Sequence, residues 1–551
     1  MSSKLKLLIA VVAVGGLVWT FFPKENSQNV TDTKTQEKKP EKTLVFCPEG
    51  SPANMVPYQS STGTTIEASA FTFFERLVDF KIGGTEIVPA LAESWEISED
   101  GKVYTFNLRK NVEFHSNDHF TPSRNFNADD VIFSFDRQGN PQHPYHNVTS
   151  NNYIYYQYLK FDDLIENIEK QDDHTVVITI KHADSTFLAN IAIPAFSISS
   201  KEYADQLVKE NKKDLFDKKP IGTGPFSFVA YQKDAAIRYK AFDQYWKGRA
   251  NIDNLVYSIT PDASVRAAKI KSGECHVMAY PNPADIDDLE KNPDVNVYKK
   301  EALNVAYVAF NQGIKPFDDV RVREALVLAV DRQKIIDAVY KGRAVTANNP
   351  IPKNMWGHHD GLGEVEYNPE RAKELLAEAG YENGFTTTLW AMPVQRPYMP
   401  NARKAAEIIQ AAWADVGVTA EIVTYEWGTY VKNAKDGLHD ALMLGWSSDN
   451  GDPDNFFNAL LSCSALKAKN NFARWCHQDF DNLINKALKT SDIEERKKLY
   501  LRAQEIFRAQ YPWMTIAHSE TVQPVHKSVK NFEVILVPGS MHNFYPVDIV
   551  Q

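Results

Sequence analysis

Alternating apolar and polar positions mark short strands in the N-terminal third of the chain. The segment KVYTFNLRKNVEF, residues 102–114, alternates in the way that half-buried strands do. The apolar run KTLVFC at 42–47 and the segment DDHTVVITIKH at 172–182 have the length and composition of further strands. These segments predict that β-structure begins soon after residue 40.

Helical periodicity appears between and after these strands. The segment NADDVIFSFDR predicts a helix capped by Asn127, because the aspartates that follow place negative charge at the positive end of the helix dipole. Residues 316–342 predict one or two amphipathic helices that end at Gly342. The segment YNPERAKELLAEAG predicts a helix that begins after Asn368 and ends at Gly380.

A β-α-β unit follows in the C-terminal half. Residues 385–393 predict a strand, 401–418 a helix and 419–427 a second strand. The loop VQRPYMP, residues 394–400, joins the first strand to the helix. Loops at the carboxyl ends of strands carry ligand contacts in α/β sheets, so this unit predicts a mixed α/β fold with a candidate site in that loop.

Size and charge limit the class of protein. A chain of 551 residues is long enough for two to four domains, or for one body built from several lobes. The formal net charge of −10 argues against nucleic acid as a partner, because such binding needs clustered lysine and arginine. Aromatic residues make up 12% of the chain, which is ample for cores and for a binding cleft.

The N-terminus predicts export. Lys4 and Lys6 precede an apolar run at 7–22, which is longer than a usual signal core and slightly shorter than the roughly 20 residues of a comfortable membrane span. Ala13-Val14-Gly15 is a poor cleavage site because it lies inside this run, so we favour an uncleaved inner-membrane anchor over a cleaved signal that would release a soluble periplasmic protein. The basic flank then lies in the cytoplasm and the body outside. The polar residues 23–41 predict a disordered tether.

Four cysteines are present: Cys47, Cys275, Cys463 and Cys476. An exported chain meets oxidising conditions, so an even count favours disulfides. Cys463 and Cys476 would close a short local loop, which leaves Cys47 to pair with Cys275. Buried free thiols are the alternative, and the spacing is unlike that of zinc ligands.

The stretch GWSSDNGDPDNFF, residues 445–457, holds three aspartates within an aromatic frame. Its spacing fails the calcium-loop pattern. Asp452 and Asp454 are expected to serve the backbone of a loop rich in turn residues. Asp449 has the same explanation open to it, and the alternative is ligand binding, supported by the neighbouring Trp446, whose ring can cover an apolar ligand. Arg396 is likewise open to assignment as a surface ion-pair residue or as a ligand contact.

Motifs of the common enzyme classes are absent from the sequence. It contains no GxSxG, HExxH, P-loop or GxGxxG pattern, so we expect neither catalysis nor a cofactor or metal. Paired carboxylates from distant segments would still permit glycoside hydrolysis.

Several long motifs together resemble one known family. They are ALAESWEISEDGKVYTFNLRKNVEFH, NADDVIFSFDR, PIGTGPF, YNPERAKELLAEAG, AMPVQRPYMPNAR and GWSSDNGDPDNFF, in that order along the chain. From about residue 42 to the end, the chain is similar to the extracytoplasmic solute-binding proteins of peptide ABC importers (the peptide/nickel family), and within it to dipeptide-binding members. The resemblance implies a periplasmic-binding-protein-like α/β fold, a three-lobed clam shell that closes on ligand.

The resemblance also implies how the lobes divide the chain. Lobe two would be residues 80–190 and lobe three 302–519, with hinge strands near LNVAYVAFN and before HSETVQP. Lobe one would combine the remaining parts of the body, which are 42–79, 191–301 and 520–551.

Ligand contacts follow from the same resemblance. It implies that Asp449 pairs with the α-ammonium of a dipeptide and Arg396 with its α-carboxylate, while Tyr398, Trp446, Gly63 and Thr64 line the cleft. The partners would be a dipeptide and the permease subunits of an ABC importer, with the binding protein itself a monomer. Haem or glutathione binding is the alternative within the family, and a secreted hydrolase or a chaperone is the alternative outside it.

Overall fold

Strands of the computed structural model form one large sheet and three small ones. The structure describes residues 40–60, 62–149, 153–537 and 541–550. The strands are β1 (Thr43–Cys47), β2 (Val78–Phe80), β3 (Ile87–Pro89), β4 (Ala92–Ile97), β5 (Val103–Leu108), β6 (Ile165–Asp172), β7 (Thr175–Ile180), β8 (Phe226–Gln232), β9 (Ala236–Ala241), β10 (Asn254–Ser258), β11 (Val277–Met278), β12 (Val295–Glu301), β13 (Asn304–Phe310), β14 (Ala344–Thr346), β15 (Phe385–Trp390), β16 (Val418–Val423), β17 (Ala441–Ser447), β18 (Trp513–His526), β19 (Val529–Lys530) and β20 (Asp548–Ile549).

Helices occupy the connections between these strands. They are α1 (Gly63–Ser69), α2 (Ala128–Gly139), α3 (Ile154–Tyr158), α4 (Phe161–Leu164), α5 (Phe187–Ile191), α6 (Lys201–Lys209), α7 (Leu215–Lys218), α8 (Ala263–Ser272), α9 (Ile286–Lys291), α10 (Val320–Leu328), α11 (Arg332–Ile335), α12 (Pro369–Glu378), α13 (Ala402–Ala414), α14 (Trp427–Lys435), α15 (Asp454–Leu461), α16 (Cys463–Lys467), α17 (Gln478–Leu488) and α18 (Ile493–Gln510). The mixture confirms the predicted α/β class.

The large sheet has the strand order β16-β15-β17-β13-β18-β11-β1-β10-β9-β8, with β12 and β14 also paired to β18. Parallel and antiparallel pairs are mixed: β15 runs parallel to β16 and β17, whereas β13 runs antiparallel to β17. All seven residues of β13 are buried, because the strand lies in the interior of the sheet and is covered on both faces.

Strand β18 joins two parts of this sheet. Its first residues, from Trp513, pair with β13, and its later residues, from Glu520, pair with β12. Strands β12 and β13 are themselves consecutive and are separated only by residues 302 and 303. The chain therefore crosses between the two parts of the sheet at two adjacent places, beside residue 302 and beside Ser519.

A separate four-stranded sheet, β4-β5-β7-β6, lies between β1 and β8 in the sequence. Helix α2 begins beside it with the predicted cap: Asn127 Oδ1 accepts a hydrogen bond from the Asp129 amide at 3.0 Å, and Asp130 Oδ2 accepts one from the Asn127 amide at 3.0 Å. This reciprocal capping box gives hydrogen-bond acceptors to amides at the start of the helix, which have no carbonyl partner within the helix.

Three predicted strands extend too far, and the one predicted over 385–393 ends at Trp390. The strand predicted over 102–114 ends at Leu108, because Asn111 adopts a positive φ of 60° and turns the chain. The strand predicted over 419–427 covers Val418–Val423, and Trp427 instead begins α14, which Glu426 caps by accepting a hydrogen bond from the Thr429 amide. Beyond Leu108 the alternation continues without a ladder, since Val112 and Phe114 are buried. Beyond Val423 it does not, since residues 424–426 are exposed.

Both disulfides are present with the predicted pairing, Cys47–Cys275 and Cys463–Cys476. The predicted anchor at 1–22 and tether at 23–41 lie outside the described residues, apart from 40 and 41. Within the described ranges, no helix is long and apolar enough to cross a membrane.

Candidate functional site

Asp449 lies in the loop that leaves the carboxyl end of β17. The Ser448 amide donates to the Leu303 carbonyl at 2.8 Å, which ties the loop to the start of β13. Asn455 then shapes the loop, because its Oδ1 accepts hydrogen bonds from the Asp449 amide at 3.0 Å and from Trp446 Nε1 at 2.8 Å. Trp446 and Asp449 are therefore oriented by one amide side chain.

The Asp449 carboxylate is half-buried and has neutral partners only. Tyr155 Oη donates to Asp449 Oδ1 at 3.2 Å, and Asn455 Nδ2 approaches Oδ2 at 3.4 Å. Burial raises the pKa of Asp449 to about 6, although these two hydrogen bonds favour the charged form. No lysine or arginine of the described chain forms an ion pair with it, so the site can accept an external cation.

The neighbouring aspartates have different surroundings. Asp452 Oδ1 accepts hydrogen bonds from the Asp454 amide at 2.9 Å, as predicted for a turn, and from Arg496 Nη2 at 2.8 Å. Asp454 lies in the first turn of α15 and bonds to Asn458. Burial and the charge of Asp452 raise the pKa of Asp454 to about 8. Asp452 is thus neutralised inside the protein, in contrast to Asp449.

Arg396 begins a tight turn in the loop after β15. Its amide donates to the Met399 carbonyl at 3.1 Å, and the Met399 amide donates back at 2.9 Å. The guanidinium lies over the Trp427 ring, 4.8 Å from its centroid, and Nη1 donates to the Gln395 carbonyl at 3.2 Å. Among the described residues no carboxylate lies within ion-pair distance, so this charge can also accept an external partner.

Tyr398 connects the arginine turn to β17. A Cβ atom on Gly445 would lie 2.2 Å from Tyr398 Cδ2, so only glycine allows the ring to pack at this position. Tyr340 Oη donates to the Tyr398 carbonyl at 2.7 Å and holds the turn from the other side. Burial raises the pKa of Tyr398 to about 12, and the nearby Arg396 opposes this rise. Arg396 and Asp449 consequently belong to loops anchored on the same strand.

Gly63 and Thr64 begin α1, and both are half-buried. Ile66 of this helix forms a buried cluster with Ala70, Phe71 and Met541. Tyr155 packs against that cluster and also bonds Asp449, so it links α1 to the acidic loop.

Four further residues belong to the site and were not identified from the sequence: Tyr155, Tyr158, Asn455 and Trp427. Tyr158 lies next to Trp446, with ring centroids 6.5 Å apart. Four tyrosines at 153, 155, 156 and 158 are an unusual local density, and this signal could have marked α3. Asn455 and Trp427 had no comparable signal, because their roles depend on tertiary contacts.

The site therefore offers two opposite charges that form no ion pair with any described residue, together with aromatic and polar walls. Within the described residues, no group of three or more histidine, cysteine, aspartate or glutamate side chains could hold a metal ion. Such an arrangement can bind a small molecule that carries a cationic and an anionic end.

Comparisons with known proteins agree with this architecture. The chain is 52% identical to the dipeptide-binding protein of Escherichia coli over 92% of this chain and 95% of that protein. It is 46% identical to heme-binding protein A of Haemophilus influenzae over 99% of both chains. The crystal structure of a dipeptide-binding protein from Pseudoalteromonas in complex with Met-Leu matches with a TM-score of 0.81 and 41% identity, and it covers 92% of this chain and 100% of that one.

The family model of the bacterial extracellular solute-binding proteins, family 5, middle region, matches residues 86–468. This match spans β3 to α16 and includes Arg396, Tyr398, Trp446 and Asp449. The likeness to solute-binding proteins extends on both sides of it, over 92% of the chain. The chain belongs to the bacterial extracellular solute-binding proteins of family 5.

Proposed function

We propose that this protein binds dipeptides with free termini and delivers them to the permease of an ABC importer, without chemical change. Asp449 receives the ligand's α-ammonium and Arg396 its α-carboxylate. The observation that carries this assignment is the pair of opposite charges on two loops that meet at β17, neither of which forms an ion pair with a described residue. Relatives named as dipeptide-binding proteins support the choice of ligand.

Pairing of both ligand termini with Asp449 and Arg396 would select peptides of one length. A dipeptide is a zwitterion whose charges are one peptide unit apart, so only a ligand of that length satisfies both groups in a closed cleft. A buried hydrogen bond to a charged group contributes about 1.5–3 kcal/mol. A blocked or longer ligand leaves one protein charge desolvated and unpaired, which costs a comparable amount.

We propose that closure occurs about the two crossing places beside residue 302 and Ser519. Lobe three, residues 302–519, would carry Asp449 and Arg396, while lobe one would carry Gly63 and Thr64. Lobe two, residues 80–190, would carry Tyr155. Supporting this division, β12 and β13 meet at residue 302, and β18 changes pairing partner beside Ser519. Ligand would stabilise the closed form that the permease recognises.

We propose that the apolar N-terminal run directs export and stays attached as an inner-membrane anchor. Its length and its basic flank support this. Carbonate extraction of membranes should leave the full chain in the pellet, and recovery in the soluble periplasmic fraction would indicate that the run is cleaved.

Calorimetric titration with dialanine, trialanine and haem tests the proposed ligand. Dialanine should bind more tightly than trialanine. In the absorption spectrum recorded on haem addition, the Soret band should not shift. Haem binding without dialanine binding would assign the protein to the alternative ligand.

Arg396→Gln tests the carboxylate end. It should weaken dialanine binding by about tenfold or more, because one charge-assisted bond is lost. Arg403→Gln is the matched control, since Arg403 lies seven residues away on α13 and pairs with Glu407 at 3.2 Å. Equal losses in both variants would remove Arg396 from the site.

A further inference from the structure

Tyr155 reaches Asp449 from a distant part of the chain. The two residues are 294 positions apart, and Tyr155 lies on α3, whereas Asp449 follows β17. The Tyr155 ring packs against the cluster of Ile66, Ala70, Phe71 and Met541, and its hydroxyl points at Asp449 Oδ1. Packing on one side and a hydrogen bond on the other fix the phenol.

The charge state of this pair sets the direction of the hydrogen bond. Burial and the negative charge of Asp449 raise the pKa of Tyr155 well above its ordinary value, so the phenol keeps its proton and donates. At 3.2 Å this bond is shorter than the 3.4 Å contact of Asn455 Nδ2 with the other oxygen. Oδ1 is thus the better satisfied oxygen, and Oδ2 is the one more open to a further donor.

We propose that Tyr155 is a positioning residue for the ammonium end of the site. Its hydroxyl fixes the rotation of the Asp449 carboxylate and keeps it ionised, so that Oδ2 is presented to the ligand's ammonium. This inference rests on the proposed function. Since Tyr155 and Asp449 lie on segments assigned to different lobes, the bond also brings α3 to the ligand when the cleft closes.

Tyr158 provides a matched control on the same helix. Burial raises its pKa well above the ordinary value, and the negative charges of Asp449 and Asp454 raise it further. In the described chain, however, Tyr158 makes no hydrogen bond with Asp449; its ring instead neighbours Trp446 at 6.5 Å. Removing either hydroxyl leaves the aromatic ring and its packing in place.

The experiment follows the Asp449 carboxyl carbon by NMR in aspartate-labelled protein without ligand, with Asp449→Asn used to assign the resonance. Tyr155→Phe should raise the titration midpoint of Asp449 by about half a pH unit or more, and Tyr158→Phe should move it less. At pH 6, dialanine affinity should fall about threefold to tenfold in Tyr155→Phe and less than twofold in Tyr158→Phe.

Three results would overturn the inference: an unmoved midpoint in Tyr155→Phe, equal effects in both variants, or tighter dipeptide binding by Tyr155→Phe. Tighter binding would mean that the hydroxyl competes with the ligand. A midpoint that rises as expected in a protein that binds no dipeptide would contradict the proposed function while leaving the link between Tyr155 and Asp449 intact.

Discussion

Acidification should weaken dipeptide binding through Asp449. The pKa of this carboxyl in the free protein is raised to about 6 by burial. Ammonium binding needs the ionised form, so affinity is complete above this value and is lost as pH falls through it. The ionised fraction drops from about nine-tenths at pH 7 to about one-tenth at pH 5.

The expected loss of affinity between pH 7 and pH 5 is therefore about tenfold, or about 1.4 kcal/mol. The ligand's own charges stay constant over this range, because an α-carboxyl titrates near 3.5 and an α-amino group near 8. If the Asp449 carboxyl is fully ionised in the complex, binding at pH 5 also releases about 0.9 proton per ligand, because about nine-tenths of the free sites are protonated at that pH.

Calorimetry with dialanine in two buffers of different ionisation heat measures both quantities. Asp449→Asn is the control: its binding should be weak at every pH and nearly independent of pH over this range. A wild-type affinity that stays constant from pH 7 to pH 5, with no proton release, would refute the assignment of Asp449 to the ammonium.

Two further predictions concern stability. Burial and the charge of Asp452 raise the pKa of Asp454 from its ordinary 3.8 to about 8, so the folded protein loses stability as pH rises from about 4 to 8 and no further above 8. The gain in the free energy of unfolding from Asp454→Asn should therefore grow by at least about 1 kcal/mol between pH 5 and pH 8. Denaturant unfolding with equal gains at these two pH values would contradict this. Replacing both Cys463 and Cys476 by alanine removes the disulfide that closes a short loop. By the loop-entropy model this should lower the free energy of unfolding by about 3 kcal/mol, measured as a lower denaturation midpoint in oxidising buffer. An unchanged midpoint would show that the disulfide contributes nothing to stability.

Local signals in the sequence were enough to predict many of the helices and strands. Asn127 and Asn368 mark helix starts because capping depends on residues only three positions away. Within the β-α-β unit at 385–423 the helix is periodic, and its buried residues are Ala402, Ala405, Ala406, Ile409 and Trp413. Strand ends were less predictable, as at Leu108, because alternation reports burial rather than hydrogen bonding.

The candidate site was only partly accessible from the sequence. Asp449 and Arg396 lie within motifs that resemble a known family, so they could be proposed directly. Tyr155 could not be proposed, because it approaches Asp449 from 294 positions away. Trp427 could not either, because it is the last residue of the segment 419–427 that the sequence predicts as strand, whereas it begins a helix. Which aspartate is neutralised also depends on a distant residue, Arg496, which pairs with Asp452, whereas Asp449 forms no ion pair with a described residue.

The most direct test of the central claim is calorimetric titration with dialanine, its N-acetyl derivative and its C-terminal amide. The account predicts that dialanine binds and that each blocked form binds at least about tenfold more weakly, since each leaves one of Asp449 and Arg396 unpaired. Blocked and free forms that bind with equal affinity would contradict the claim that the two charges select a free dipeptide.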